Sequence, residues 1–143
     1  MQKKNKKIVI TGGEGRFAQV LKETKVSLNV FYPNKKTLNI LSIQSIRKYL
    51  KRIKPKYLIH AAALSRPMKI HDEKISKSIE LNIIGTCNIV MVCAELNIKL
   101  IYFSTGYVYQ GKTGNYKEED PLLPINNYAL SKLGGECAVS MYD

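Results

Sequence analysis

Short apolar runs recur along the chain, and most of them stop at a glycine, a proline or a polar cluster. Runs that are this short and nearly continuously apolar are typical of β-strands buried on both faces of a sheet. Five strands are predicted, at residues 7–11, 28–32, 37–40, 57–63 and 99–105, the third of them very short.

Between these runs, apolar residues recur at the spacing of amphipathic helices. The clearest case follows Ser42, a good N-cap residue, and carries an apolar stripe of Ile43, Ile46 and Leu50. Helices are predicted at residues 16–23, 43–53, 72–96 and 127–141. The alternation of strands and helices predicts an α/β fold with an open, doubly wound parallel sheet, and right-handed crossovers give it the strand order 3-2-1-4-5.

Composition is that of an ordinary globular protein, since 45% of the 143 residues are hydrophobic and 24% are charged. The length suffices for one domain with a core, residues 1–143. The formal net charge of +12 fits either nucleic acid or anionic substrates as partners. Because the lysines are scattered outside residues 1–7 and no nucleic-acid motif accompanies them, we do not expect nucleic acid to be a partner.

The three cysteines, Cys87, Cys93 and Cys137, form no Cys-x-x-Cys pair. This spacing argues against a zinc site and for a reducing compartment, so no metal is expected. We find neither a signal-peptide core nor an apolar run that approaches the length of a membrane span. The expectation is a soluble, cytoplasmic protein without a membrane partner.

A glycine-rich turn follows the first predicted strand, where Gly12, Gly13 and Gly15 precede Ala18 in a Gly-x-x-Gly-x-x-Ala pattern. Glycines let the backbone turn tightly and approach a pyrophosphate, which then meets the free amides and positive dipole of a helix N-terminus. Glycine-rich turns are common, and a mere tight turn is the alternative. The position between a strand and a helix is the context that a dinucleotide-binding loop requires.

The end of the second predicted strand favours NADP over NAD. An Asp or Glu usually binds the free ribose hydroxyl of NAD at this point. Residues 31–36 contain no acid, but they contain Lys35 and Lys36, whose ammonium groups suit a 2′-phosphate. The alternative, that both lysines are ordinary solvated loop charges, has almost equal weight.

Tyr128 and Lys132 are four residues apart in the last predicted helix, so they share one face of it, one turn apart. The pKa of a phenol is about 10, and a nearby ammonium lowers that pKa toward the range useful for acid–base catalysis. The pair is therefore a sensible acid/base group, although tyrosine and lysine at this spacing are also common on solvated helices.

Taken together, these stretches resemble the extended short-chain dehydrogenases/reductases, and among them the dTDP-4-dehydrorhamnose reductases and related sugar-nucleotide reductases. The resemblance covers residues 8–139. It is carried by four motifs in order: HAAA at 60–63, LNIIGT at 81–86, STGYVYQG at 104–111 and PINNYALSKLGGE at 124–136.

The resemblance implies roles for the candidate site residues. Tyr128 is the proton donor, and Thr105 hydrogen-bonds the substrate carbonyl, with its neighbour Ser104 as the alternative for that role. Lys132 bonds the nicotinamide ribose, and Ser104 and Tyr128 also contact the cofactor. The other cofactor-binding residues that it implies lie beside the pyrophosphate, the adenine or the nicotinamide: Gly12, Gly13, Gly15, Arg16, Phe17, Lys35, Asn39, Ile40, Ala61, Ala62 and Ala63.

Two further motif residues are interpreted as structural. His60 stands where relatives often carry Asn, and we expect a buried, hydrogen-bonded ring without a catalytic role. Asn82 is expected to be a helix-internal structural amide. Asn39 and Gly106 each stand where many relatives carry Asp. The change at Asn39 weakens a hydrogen bond to the adenine, and the change at Gly106 leaves the finer positioning of the substrate open.

The function implied by the resemblance is NADP(H)-dependent reduction of a nucleotide-linked 4-keto-6-deoxy sugar. Two alternatives stay open, namely a nucleotide-sugar epimerase or dehydratase and a non-catalytic NAD(P)-binding regulatory module. Family members continue for roughly another domain's worth of chain, so we expect a fragment or reduced form without the C-terminal strands and the substrate lobe. The isolated chain is then expected to bind NADPH, to leave nucleotide sugars unconverted, and to dimerise or aggregate through its last strand.

Overall fold

The computed structural model describes residues 6–24 and 27–142 and contains a parallel sheet with helices packed on it. All neighbouring strands are parallel, which confirms the predicted α/β class. Within the described residues the sheet has four strands in the order β2-β1-β3-β4: β1 (Lys7–Thr11), β2 (Asn29–Phe31), β3 (Tyr57–His60) and β4 (Lys99–Tyr102).

The strand predicted at residues 37–40 does not form, so the prediction of a five-stranded sheet was wrong. The Asn34 side-chain oxygen accepts hydrogen bonds from the backbone N–H and the hydroxyl of Thr37, at 2.9 and 2.8 Å. Such side-chain-to-backbone bonds favour a turn over a strand ladder. Leu38 and Ile40 are nevertheless buried in the core, and their alternation reflects that burial. The other four strands keep the relative order that was predicted for them.

Three strands are shorter than predicted, and the first of them, β2, covers Asn29–Phe31 rather than residues 28–32. β3 ends at His60 rather than at residue 63, and β4 ends at Tyr102 rather than at residue 105. After β3, the Ala61 N–H donates to the Thr11 hydroxyl oxygen at 3.1 Å, so it does not continue the ladder. The polypeptide leaves the sheet at these points and forms the loops that carry the candidate site.

The helices alternate with the strands as predicted, and Ser42 caps the second one, its side-chain oxygen accepting from the Ser45 N–H at 3.2 Å. The single helix predicted at residues 72–96 is instead divided into two short α-helices, a π-helical segment, Ile79–Ile84, and a longer α-helix. A 3-10 turn, Gly106–Val108, follows β4. The α-helices within the described residues are α1 (Arg16–Glu23), α2 (Ile43–Ile53), α3 (Ile70–Glu73), α4 (Ile75–Ser78), α5 (Gly85–Leu96) and α6 (Asn127–Ser140).

Helix α4, the π-helical segment and α5 form one continuous stretch, Ile75–Leu96, of 22 residues. By length and composition alone it is apolar enough to cross a membrane, which corrects the sequence-based statement that no run approaches that length. In the fold its residues Ile89, Val92 and Cys93 are completely buried, and it contacts β3, β4, α2 and α6. Packing in the core accounts for part of its apolar character, since 44% of its most apolar window is buried.

The core lies between one face of the sheet and helices α2 and α5. Val9 and Leu58 come from the strands, Ile46 from α2 and Ile89 from α5, and all four are completely buried. Burial of each such side chain contributes about 1.5–3 kcal/mol. Because side chains alternate along a strand, the opposite face of the sheet carries a different set of side chains.

Candidate functional site

The turn between β1 and α1 requires glycine for two separate reasons. Gly12 has φ +73°, a left-handed conformation, and a Cβ on Gly13 would lie 2.4 Å from the Tyr32 carbonyl oxygen. The N-cap residue Gly15 provides no side-chain hydrogen bond to α1. No side chain at the N-cap position therefore occupies the first-turn amides of α1. Free amides at a helix N-terminus, together with the positive end of the helix dipole, can bind an anion.

A cavity of about 210 Å³ lies over this turn. It gathers residues that follow β1, β2 and β3, at the carboxyl edge of the sheet where ligands bind in open α/β folds. Four further residues line it and were not predicted as site residues: Glu14, Asn34, Leu38 and Leu81. The predicted cofactor-binding residues in its lining are Gly12, Gly13, Gly15, Lys35, Asn39, Ile40, Ala62 and Ala63. The glycine cradle and this lining fit a dinucleotide.

Three predicted cofactor-binding residues near this turn do not line the cavity. Arg16 is exposed at the start of α1. Phe17 packs edge-on against Phe103, with ring centroids 4.8 Å apart, and so joins α1 to the segment after β4. Ala61 donates its N–H to the Thr11 hydroxyl, which fixes the path of the alanine segment beside the glycine turn.

His60 is a buried structural histidine, as predicted. Its ring nitrogens bond the Thr11 hydroxyl at 2.7 Å and the Thr86 hydroxyl at 3.2 Å. Burial, assisted by the Lys132 charge, lowers the pKa of His60 to about 3. The ring therefore stays neutral at pH 7 and connects β1, β3 and α5.

Asn82 is a structural amide, as predicted. Its side-chain oxygen accepts from the Leu64 N–H at 2.7 Å, and its nitrogen donates to the Leu64 carbonyl at 2.9 Å and to the Ser131 hydroxyl at 2.8 Å. Gly135 allows α6 to approach closely, since a Cβ there would lie 2.7 Å from the Asn82 carbonyl oxygen. The π-helical segment thereby fixes α6, and with it Tyr128, against the loop after β3.

A second cavity, of about 910 Å³, contains two of the predicted catalytic residues. Asn126 caps α6 by accepting from the Ala129 N–H at 2.8 Å, so Tyr128 lies in the first turn of that helix. Thr105 caps the 3-10 turn after β4. The cavity is lined by Ser65, Arg66, Pro67, Met68, Thr105, Tyr107 and Tyr128.

The pKa of Tyr128 is raised above its ordinary value, mainly because the phenol is partly buried. The neighbouring Thr105 side chain lowers that pKa, Tyr107 raises it, and the charge of Arg66 lowers it. The expectation was that Lys132 would lower the pKa of Tyr128. In the folded protein, burial instead raises the pKa of Tyr128. The side chains that act on this pKa are Thr105, Tyr107 and Arg66, and not Lys132.

Lys132 is buried, and its ammonium lies over the ring of Tyr102. It is 3% exposed, and its Nζ lies 4.0 Å from the centroid of the Tyr102 ring. Burial lowers the pKa of Lys132 to about 8, and the Glu136 carboxylate opposes this shift. Ser104 donates its hydroxyl proton to that same carboxylate at 2.7 Å. Ser104 and Lys132 thus share Glu136 as a neighbour.

His71 was missed by the sequence reasoning, because a single histidine just before a predicted helix, without a motif around it, gives no signal. It is 1% exposed, its Nδ1 lies 2.6 Å from the Ser78 hydroxyl, and its ring packs 5.0 Å from the Tyr128 ring. Within the described part of the chain its buried Nε2 has no hydrogen-bond partner. Asp72 accepts from the Asn127 side chain at 2.7 Å, so α3 is attached to the start of α6 at two points.

Comparison with known proteins gives a family and several relatives. Residues 6–143 match the family model described as the RmlD substrate binding domain. The crystal structure of dTDP-4-dehydrorhamnose reductase from Bacillus anthracis in complex with NADP has a TM-score of 0.87 and is 30% identical, covering 96% of this chain and 50% of that chain.

Two curated relatives have names that describe two different functions, a subunit of an adenosyltransferase and a protein of polysaccharide biosynthesis. Methionine adenosyltransferase 2 subunit beta of Xenopus laevis is 32% identical, over 94% of this chain and 43% of the relative. Spore coat polysaccharide biosynthesis protein SpsK of Bacillus subtilis is 29% identical, over 91% of this chain and 47% of the relative. The chain therefore spans about half the length of the relatives it matches.

Proposed function

The chain belongs to the RmlD substrate binding domain family, within the extended short-chain dehydrogenases/reductases, and we propose that it is the dinucleotide-binding, catalytic half of a cytoplasmic sugar-nucleotide reductase. The proposed reaction is the NADP(H)-dependent reduction of a nucleotide-linked 4-keto-6-deoxy sugar. The observation that carries the proposal is the pairing of Tyr128 and Thr105 in one cavity, at the same edge of the sheet as the glycine-lined cavity.

The residues have separate tasks in the proposed reaction. The glycine turn and the alanine segment hold the dinucleotide, and Lys132 bonds its nicotinamide ribose. The reduced nicotinamide, when bound, supplies the hydride. Thr105 hydrogen-bonds the keto oxygen, and Tyr128 gives that oxygen its proton. The raised pKa of Tyr128 keeps the phenol protonated at pH 7, which a proton donor requires.

The test of the proton donor is Tyr128→Phe in the polypeptide expressed from its own gene. Turnover of a dTDP-4-keto-6-deoxy sugar with NADPH should fall by roughly 10²–10⁴-fold, the usual effect of losing a general acid, while NADPH affinity stays unchanged. Tyr109→Phe is the matched control, because Tyr109 stacks on Tyr116 and does not line the cavity. A Tyr128→Phe protein with the native rate would remove Tyr128 from the mechanism.

For the cofactor, we propose a preference for NADP over NAD. Lys35 lines the dinucleotide cavity and, with Lys36, an adjoining one of about 450 Å³. Glu14 lines both cavities as well, and its carboxylate opposes binding of a phosphate. Exposed charge contacts are each worth about 1 kcal/mol, so the preference should be several-fold.

The double variant Lys35→Glu with Lys36→Glu should reduce the ratio of NADPH to NADH affinity in calorimetry. Lys48→Glu with Lys77→Glu changes the net charge equally at exposed positions on α2 and α4 and should leave the ratio as it is. Equal affinities for the two cofactors in the native chain, unchanged in the first variant, would contradict the proposed preference.

A second candidate function is favoured by the relative that is a subunit beta of methionine adenosyltransferase 2. On this proposal the chain is a regulatory module that binds the dinucleotide without turning over a sugar. The reductase and the module differ in one measurable way. Copurification with a partner enzyme, together with undetectable nucleotide-sugar reduction by the native polypeptide, would favour the module.

A further inference from the structure

The cavity that contains Tyr128 and Thr105 has one charged side chain in its lining, that of Arg66. Its other polar groups include the hydroxyls of Ser65 and Tyr107, and no acidic residue is found among the described residues that line it. At pH 7 the cavity is therefore positively charged beside the candidate catalytic pair. Its volume of about 910 Å³ is in the range of pockets that enclose complete small ligands.

The guanidinium of Arg66 is not neutralised by an ion pair in the described structure. Its side chain is exposed, and none of the ion pairs formed within residues 6–24 and 27–142 includes it. A guanidinium presents five N–H donors in a planar fork, which fits a phosphate through two parallel hydrogen bonds. Arg66 and Tyr128 line the same cavity, so a substrate at Tyr128 would occupy a space that Arg66 borders.

Arg66 is also near enough to act electrostatically on the candidate proton donor. Its positive charge lowers the pKa of the Tyr128 phenol, against the larger effect of burial. A substrate whose carbonyl meets Tyr128 would therefore have its anionic group in a cavity that Arg66 lines. In a nucleotide sugar, the diphosphate attached to the sugar ring is such a group.

We infer that Arg66 binds the diphosphate of the nucleotide sugar and makes the site select nucleotide-linked sugars over free ones. The inference rests on the proposed function for its choice of substrate. Arg66 is here a specificity residue, because it binds a group remote from the reacting carbon and takes no part in proton transfer. The same fork would also fit a carboxylate, such as that of a sugar acid, and the experiment separates the two anions.

The experiment measures binding of dTDP to the polypeptide expressed from its own gene, by calorimetry with NADP present in excess so that dTDP cannot occupy the dinucleotide site. Arg66→Gln should weaken dTDP binding by roughly 10- to 100-fold, the worth of charge-assisted hydrogen bonds. The Arg66→Lys variant keeps the positive charge but loses the two parallel donors, so its dTDP affinity should lie between those of the native protein and Arg66→Gln. Lys69→Gln is the matched control, an exposed cation three residues along the chain that lines no part of this cavity, and it should bind dTDP like the native protein.

Thymidine and glucuronate identify the group that Arg66 recognises. Thymidine lacks the phosphates and should bind the native protein and the Arg66→Gln variant equally weakly. Undetectable dTDP binding by the native protein, unchanged dTDP affinity in Arg66→Gln, or an equal loss of thymidine and dTDP affinity would each overturn the inference. Glucuronate binding as tight as that of dTDP, with the same dependence on Arg66, would overturn the diphosphate assignment.

A second readout needs no ligand. Removal of the Arg66 charge should raise the pKa of Tyr128, measured by NMR of ¹³C-labelled tyrosine and assigned with Tyr128→Phe. An unchanged pKa in Arg66→Gln would mean that the guanidinium lies elsewhere and would overturn the inference. Dependence of dTDP binding on Arg66 in a protein that fails to reduce keto sugars would support the anion site while contradicting the reductase.

Discussion

Two buried histidines near the site differ in how their ring nitrogens are bonded. His60 bonds a threonine hydroxyl at each nitrogen, whereas His71 bonds Ser78 at one nitrogen and has its other nitrogen buried without a partner in the described chain. Burial lowers the pKa of His60 to about 3 and also lowers the pKa of His71. Both rings are therefore neutral parts of the framework around the cavities.

Their burial predicts that the chain loses stability in mild acid. An unfolded histidine has a pKa of about 6.5, so below that pH the unfolded state binds more protons than the folded state does. The histidine contribution is complete above pH 6.5 and declines as the pH falls toward the folded pKa, which for His60 is about 3. The slope for His60 is at most about 1.4 kcal/mol per pH unit.

Urea denaturation from pH 7.5 to pH 4.5 measures this decline. His60→Gln should be less stable at pH 7, because it perturbs the bonds to Thr11 and Thr86, and its stability should depend less on pH. If the unfolding free energy of the native chain stayed constant between pH 6.5 and 4.5, the neutral buried state of His60 would be contradicted.

At the scale of elements, the β1–α1 turn has no room for a side chain at Gly13, whereas the 3-10 turn after β4 has room for one at Gly106. A Cβ on Gly13 would lie 2.4 Å from a backbone oxygen of the segment after β2, whereas a Cβ on Gly106 would meet nothing within 4 Å. The first turn packs against the chain that follows the neighbouring strand. The second borders open space beside Thr105.

Gly13→Ala should therefore destabilise the chain by about 1–3 kcal/mol, the usual cost of overpacking, and should weaken NADPH binding because the turn has to shift. Gly106→Ala is the matched control and should leave both quantities near their native values. Thermal denaturation and calorimetry with NADPH measure the two effects. Native NADPH affinity in Gly13→Ala would show that this turn does not hold the dinucleotide.

At the scale of the whole molecule, the two faces of the sheet are covered unequally. Helices α2 and α5 bury one face, while on the other face Ile101 is 44% exposed and Phe103, just after β4, is 41% exposed. β4 also forms one edge of the sheet. Exposed apolar edge strands promote pairing between chains.

The isolated 143-residue chain should accordingly self-associate at high concentration, which sedimentation velocity can measure. Ile101→Lys should reduce the association, since a charge on an edge strand opposes pairing. Met91→Lys places the same charge at a 51% exposed position on α5 and should have little effect. A native chain that sediments as a monomer at high concentration would contradict this expectation.

The sequence by itself determined the features that depend on a few consecutive residues. Helices α1 and α2 and strand β1 have the predicted bounds, because periodicity and a capping serine are local signals. The glycine turn was also predictable, since a backbone that must approach its neighbours closely tolerates no side chain. The bonded states of His60 and Asn82 were anticipated from their places in family motifs, with their partners left undefined.

Tertiary structure alone decided the contacts between segments far apart in the sequence. Helical spacing put Lys132 and Tyr128 on one face of α6, but packing turned the ammonium toward Tyr102 and surrounded the phenol with His71 and Arg66. The predicted strand at residues 37–40 failed for a related reason. An apolar alternation shows that side chains are buried, whereas a strand also needs a neighbouring backbone to pair with, and the position of that neighbour is a property of the whole fold.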